Sequence, residues 1–293
     1  MIEESYMEYL TEEKKMSDNT KQAYLRDLKN FQTFILKRGL SGYEEASNAE
    51  IVAWLVELKA SGRSKATVNR KLASLRSFYH YLEKEKRIQE NPAENIKPPK
   101  VSKKEIEYLS IEEMERLLAV PDDSTMKGKR DRAILELLYA TGIRASELIE
   151  MKLEDMNLRM GFVKCSGEHG KARIIPVGRL ARKVMEDYVL DVRPVFLKEN
   201  QTDALFVNYA GRAFTRQGLW KVLKQYGEEA GLELPLTPQI IRNSFAVHML
   251  QNGADIRSLQ ELMGHEEISA TQAYLAVIKN RIKDVYDKTH PRA

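Results

Sequence analysis

Apolar side chains recur at intervals of three and four in YMEYL, AYLRDLKNFQTFIL and IVAWLVELK, so residues 1 to about 90 read as all-helical. Ser47 followed by Glu50 makes a capping box ahead of the third of these segments. Ser64 caps a fourth, SKATVNRKLASLRSFYHYLEKEK, whose apolar stripe is Val68, Leu72, Leu75, Phe78, Tyr79 and Leu82. The start and opposite face of this helix carry Lys65, Thr67, Asn69, Arg70, Lys71 and Arg76. A solvated face is the plain reading of such charges. Cations, a hydroxyl and an amide gathered at a helix N-terminus also suit DNA phosphates and groove edges, and that reading is preferred.

Asn91-Pro92 closes the helical region, and NIKPPKVSKK follows as a stiff, basic, extended linker. Beyond it the pattern changes. Ser110 and Glu113 form a second capping box before IEEMERLLAV, and RDRAILELLYATG is a helix stopped by Gly142. Arg144 comes straight after and starts a short helix, RASELIEM. GFVKC and ARIIPV then read as two strands around the polar turn SGEHGK. A helix from Arg179 to about Phe196, a short strand ALFV and a helix from Thr215 to Ala230 follow. The tail, NRIKDVYDKTHPRA, has apolar residues at Ile282, Val285 and Tyr286 and reads as one more amphipathic helix, short enough to dock on a neighbouring subunit. The expected fold is mainly α with a small β-sheet: an all-α N-terminal domain over 1–97, a linker over 98–106 and an α+β domain over 107–293.

The stretch from Thr237 to Val277 holds the densest chemistry. Arg242, His265 and Tyr274 are set among apolar residues at helical spacing, and Asn252-Gly253 divides the run into two helices. Short helices with tight corners bring a cation, an imidazole and a phenol to one place, which suits holding a phosphodiester while the phenol attacks it.

Composition narrows the setting. A chain of 293 residues is long enough for two domains, and 43% hydrophobic with 31% charged residues describes an ordinary soluble protein. A net charge of +4 only nudges toward nucleic acid. The single cysteine, Cys165, excludes an internal disulfide and fits a reducing cytoplasm. MIEESYMEYL has no signal-peptide pattern, and no apolar run reaches membrane-helix length, so no membrane partner is expected.

TGIRASEL, PQIIRNSFAVHML, LQELMGH and ISATQAYLAV, in this order, resemble the first-arginine, second-arginine, histidine and nucleophile motifs of the tyrosine recombinase (phage integrase) family, and within it the Xer recombinases. SKATVNRKLASLRSFYHYL resembles the DNA-binding helix of that family's core-binding domain, and HPRA is an Xer-like ending. The resemblance covers nearly the whole chain and implies a two-domain clamp on DNA. It implies that Arg144, Arg242 and His265 contact the scissile phosphate and that Tyr274 is the nucleophile. Two positions depart from the pattern. Gln239 stands where the family usually has histidine, and Glu168 stands where it has the turn lysine, with Lys171 three residues on. Gln239 can donate a hydrogen bond but cannot usefully accept a proton near pH 7. Lys171 becomes the candidate proton donor.

Two arginines offer planar forks of fixed charge to the non-bridging oxygens. Attack by Tyr274 gives a 3′-phosphotyrosyl ester and expels a 5′-hydroxyl, and a second 5′-hydroxyl reverses the step on a new partner. The ester conserves the bond energy, so no ATP, metal or other cofactor is expected. The expected partners are double-stranded DNA and further recombinase subunits, as a homotetramer or as a heterotetramer with a paralogue. Arg212, Thr215, Arg216 and Lys221, around the start of QGLWKVLK, are further candidate phosphate contacts. The alternative is an architectural or regulatory DNA-binding paralogue whose chemistry is weakened through Glu168 and Gln239; a third reading is a relaxing topoisomerase. The joint presence of Arg144, Arg242, His265 and Tyr274 favours an active recombinase.

Overall fold

The computed structural model divides the chain into two compact units, Met1–Lys104 and Glu105–Ala293. It describes residues 2–100, 105–166, 172–198, 200–265, 271–275 and 277.

The first unit is built from α1 (Ile2–Glu12), α2 (Asp18–Lys37), α3 (Asn48–Ala60) and α4 (Lys65–Lys84). Serines start three of them. Ser17 and Ser64 accept from the amides of Thr20 and Thr67, and Ser47 forms its capping box with Glu50. The predicted stripe on α4 is buried against Leu28, Phe31, Ile35, Ile51 and Trp54. A carboxylate, Asp27, lies within this core and is neutralised from α4, by Arg70 and by Lys71. Behind α4, Arg76 donates to the carbonyls of Ala93 and Ile96, and Asn69 Nδ2 donates to that of Pro99 at 3.0 Å. These bonds fasten the chain that leaves the helix.

The second unit opens with α5 (Ile111–Ala119), started by the Ser110–Glu113 capping box, then α6 (Met126–Thr141) and α7 (Ala145–Glu150). Its sheet is a three-stranded antiparallel meander of β1 (Met156–Asn157), β2 (Phe162–Ser166) and β3 (Ala172–Pro176), with Cys165 opposite Arg173. α8 (Arg179–Asp187), α9 (Arg193–Leu197), α10 (Arg216–Glu229), α11 (Pro238–Gln251) and α12 (Ile256–Met263) complete the elements around the main core. Residues 271–275 are helical as well.

Three expectations change. The sheet gains β1, too short for a periodic signal. The helix from Arg179 to Phe196 is interrupted by a π-helical turn at Tyr188–Val192, just ahead of Pro194, which has no N–H to give the next turn. The segment 204–207 makes isolated bridges, Lys152↔Ala204 and Val207↔Ala213, instead of a strand. All four of its side chains are buried, so it lacks the alternation of a sheet edge, and the Tyr188 hydroxyl ties it down by donating to Leu205 O and accepting from Val207 N. Lys171, Glu168 and the tail helix lie outside the described residues.

Candidate active site

Two left-handed glycines shape the site. Gly142 ends α6 at φ 59°, and a Cβ there would collide with the ring of Phe245. Gly264 ends α12 at φ 62°, where a Cβ would lie 2.8–3.0 Å from the guanidinium of Arg173. Each glycine releases a backbone carbonyl to an arginine: Gly142 O accepts from Arg242 Nη1, and Gly264 O accepts from Arg144 Nη2 at 3.0 Å.

Arg242 sits on α11 with 4% of its surface exposed. Its Nη2 donates to Met263 O at 2.6 Å and lies 3.0 Å from His265 Nε2. A guanidinium has only donors, so Nε2 accepts, and His265 carries its proton on Nδ1, 2.8 Å from Thr271 Oγ1. Burial, and then the charges of Arg242, Arg144 and Arg173, push the His265 pKa down to about 4, so the ring is neutral at pH 7. Burial, followed by the neighbouring Arg144, lowers Arg242 to about 10, which leaves it protonated.

Glu147 organises the other two cations. Its carboxylate takes Arg173 in a two-pronged pair at 2.6 and 2.9 Å, Arg144 Nη1 at 3.1 Å and the Arg144 amide at 2.6 Å. Arg173 Nε also donates to Leu262 O at 2.8 Å. Arg144, Arg173 and Arg242 thus share one neighbourhood with a single carboxylate that pairs with two of them, a surplus of two positive charges among the described residues of a partly buried cluster. Like cations are costly to desolvate together unless an anion joins them.

Tyr274 lies in the helical segment 271–275, is 5% exposed and donates to Asn243 Oδ1 at 3.0 Å. Its ring is nearly parallel to that of His265, with centroids 6.5 Å apart. Burial raises the phenol above its ordinary pKa, against the lowering pull of Arg242 and Arg144. Gln239, itself exposed on the first turn of α11, donates to Asn243 Oδ1 at 2.8 Å.

Arg144, Arg242, His265 and Tyr274 are thus brought together, with Gln239 one residue removed. The candidate DNA contacts of the first unit separate. Lys65 is exposed, Thr67 is half-buried beside Ser64, and Arg70 is exposed although paired with Asp27. Lys71 is corrected: its side chain is 8% exposed, Nζ lies 2.7 Å from Asp27 and 5.2 Å from the centre of the Trp54 ring, so the charge belongs to the core. Arg76 is corrected likewise, because two of its three guanidinium nitrogens, Nε and Nη2, donate to carbonyls of its own unit. In the second unit Arg212, Thr215 and Arg216 are exposed around the start of α10, and Thr215 caps that helix by accepting from Gly218 N.

Sequence reasoning missed Glu147, Arg173, Asn243 and Thr271. Two had a signal. Glu147 stands three after Arg144, the spacing of a capping carboxylate. Arg173 shares strand parity with Ile175 and Val177, which marks an inward-facing cation. Asn243 and Thr271 are recognisable only from their partners.

Residues 107–281 match the family model described as "Phage integrase family", and residues 4–86 match "Phage integrase, N-terminal SAM-like domain". The chain belongs to the phage integrase family. It is a site-specific DNA recombinase of the tyrosine type. It is 42% identical over 292 residues to the tyrosine recombinase XerD of Listeria monocytogenes, covering 99% of this chain and 98% of the relative. It is also 42% identical to the XerD of Staphylococcus haemolyticus, over 100% of this chain and 99% of that one. Among solved structures, a XerH recombinase bound to palindromic difH substrate aligns with TM-score 0.74 and 22% identity over 91% of this chain and 78% of that one. A lambda integrase dimer on a core site aligns with TM-score 0.72 and 18% identity over 93% of each chain. At these identities the two structures speak to the fold. Among the described residues, no group of acidic, histidine and cysteine side chains suits a metal ion, and no helix is long and apolar enough to cross a membrane.

Proposed function

We propose that the chain cuts and rejoins duplex DNA at a short specific site through a 3′-phosphotyrosyl ester on Tyr274. The surplus of guanidinium over carboxylate around Arg242 carries this reading, because it is a site for an oxyanion whose charge grows in the transition state. Arg242 uses Nη1 and Nη2 on carbonyls and His265, which leaves part of its fork for a phosphate oxygen. Arg144, a third exposed, offers a second donor set. The Tyr274 oxygen bonds to phosphorus as the bond to the 5′-oxygen breaks, the phenolic proton leaves, and the 5′-hydroxyl gains one. His265, a neutral imidazole whose Nε2 accepts from Arg242, orients that guanidinium toward the phosphate. We assign the proton for the leaving 5′-oxygen to Lys171, in place of the turn lysine for which Glu168 stands. A second 5′-hydroxyl then attacks the ester and restores Tyr274.

Further features support assembly on DNA as a tetramer of this chain or with a paralogue. The exposed cations at the start of α4 and α10 (Lys65, Arg70, Arg212, Arg216) face solvent with hydroxyls beside them and suit phosphate contacts. The amphipathic pattern of the tail suits subunit docking. We assign residues 1–97 to core binding, 98–106 to a linker and 107–293 to catalysis. A binding protein without chemistry is not favoured, because nucleophile, arginines and imidazole all converge.

The test is a nicked half-site DNA incubated with the protein. A denaturant-stable protein–DNA adduct that Tyr274→Phe abolishes is expected; tight binding without an adduct on a cognate site refutes the reading. Loss of cleavage in Lys171→Ala, restored by a 5′-thio leaving group, is expected of the proton donor, and undiminished cleavage removes Lys171 from that role.

A further inference from the structure

Asn243 has a role that the chemistry above does not use. It is 8% exposed and makes three contacts: Oδ1 accepts from Tyr274 Oη at 3.0 Å and from Gln239 Nε2 at 2.8 Å, and Nδ2 donates to the backbone carbonyl of Glu107 at 2.8 Å. The Glu107 carbonyl can only accept, which fixes the amide with its nitrogen there and its oxygen toward the phenol. The phenol must therefore donate. A carboxamide oxygen takes up no proton near neutral pH, so this bond favours the neutral phenol over the phenolate. It also commits the one proton that Tyr274 has to lose before it can attack.

We propose that Asn243 is a positioning residue that latches Tyr274 as a neutral phenol in the DNA-free protein, with Glu107 holding the amide in its latching orientation. The latch rests on Tyr274 being the nucleophile. Formation of the reactive site then requires the phenol to leave Asn243, and the resting enzyme is protected from attack on non-cognate phosphates.

The experiment places an ortho-fluorinated tyrosine at position 274 of the full chain, where its lower intrinsic pKa allows titration of the folded protein, and follows the fluorine resonance without DNA. Asn243→Ala is expected to lower the titration midpoint by about one pH unit, the scale of one neutral hydrogen bond. Asn243→Asp, close to asparagine in shape, is expected to raise the midpoint, because the phenolate would face a carboxylate. Mere loosening of the site would lower both. An unmoved midpoint in Asn243→Ala, or a fall in both variants, overturns the latch. In parallel, adduct formation on the nicked half-site by Asn243→Ala is expected to be about five-fold faster than wild type at pH 7. Equal rates overturn the latch while leaving the recombinase reading intact. Absence of adduct from the wild type overturns that reading, while the titration still decides whether Asn243 holds the phenol.

Discussion

Replacing Glu147 with glutamine tests the electrostatic account of the site most directly. The Glu147 side chain is 7% exposed and binds two guanidiniums. Removing one partner of a buried ion pair costs about 3–5 kcal/mol, because the remaining charge stays desolvated and unpaired. Two features place this case at the low end. The Arg144 side chain is 34% exposed and can turn to water, and glutamine keeps one acceptor oxygen. The expected loss is about 3 kcal/mol at pH 7. The pH dependence follows from the same contacts. Burial pushes the Glu147 carboxyl up, but hydrogen bonds from Arg173 and the Arg144 amide, with both charges, outweigh it and hold the pKa below the ordinary value. A folded-state pKa below the unfolded one contributes stability that is full above about 4.3 and fades as pH falls through the folded value. The gap between wild type and Glu147→Gln should therefore be complete at pH 7 and shrink below about pH 4. The chain has two tryptophans, Trp54 in the first unit and Trp220 in the second. Urea unfolding in a Trp54→Phe background, followed by Trp220 fluorescence, isolates the second unit. A gap under about 0.5 kcal/mol at pH 7, or one of equal size at pH 3 and pH 7, would refute the reasoning.

Three further outcomes are expected. The His265 pKa is lowered from 6.5 to about 4, so the unfolded state binds more protons between these values and stability falls as pH drops through that window; His265→Gln should flatten this part of the curve in urea melts, and an unchanged slope would count against the buried neutral imidazole. Lys71→Ala should destabilise the first unit by about 3 kcal/mol by leaving Asp27 underpaired, whereas Lys65→Ala should leave stability unchanged and reduce the salt slope of DNA binding by about one; the reverse pattern would exchange their assignments. Gly264→Ala should cost at least about 1 kcal/mol through its left-handed φ and, by displacing Arg173 from Glu147, slow adduct formation; a variant neutral in both melting and cleavage would remove Gly264 from the arginine cluster.

Much of this was legible in the sequence, for reasons that are local. The period of three to four residues marked the helices, serines at Ser47, Ser64 and Ser110 marked their starts, and Gly142 and Gly253 marked two ends, because capping depends on a few adjacent backbone groups. The family motifs pointed to Arg144, Arg242, His265 and Tyr274 by order and spacing. Where the sequence misled, the missing information was a partner distant along the chain. Lys71 reads as surface charge until Asp27, 44 residues away, is found beside it in the core. Arg76 reads as a DNA contact until its guanidinium meets the carbonyls of Ala93 and Ile96. The run at 204–207 has strand-like residues but neighbours that give it only single bridges.

The division at the site is the same. Sequence alone determined which groups can do the chemistry, since a guanidinium, an imidazole and a phenol carry their properties wherever they stand. Tertiary structure decided their state. It set Arg144 and Arg173 on Glu147, held His265 neutral on Arg242, and turned the phenol of Tyr274 to the amide of Asn243. Protonation and orientation depend on burial and on the nearest charge, and these exist only once segments more than a hundred residues apart, such as Arg144 and Gly264, are in contact.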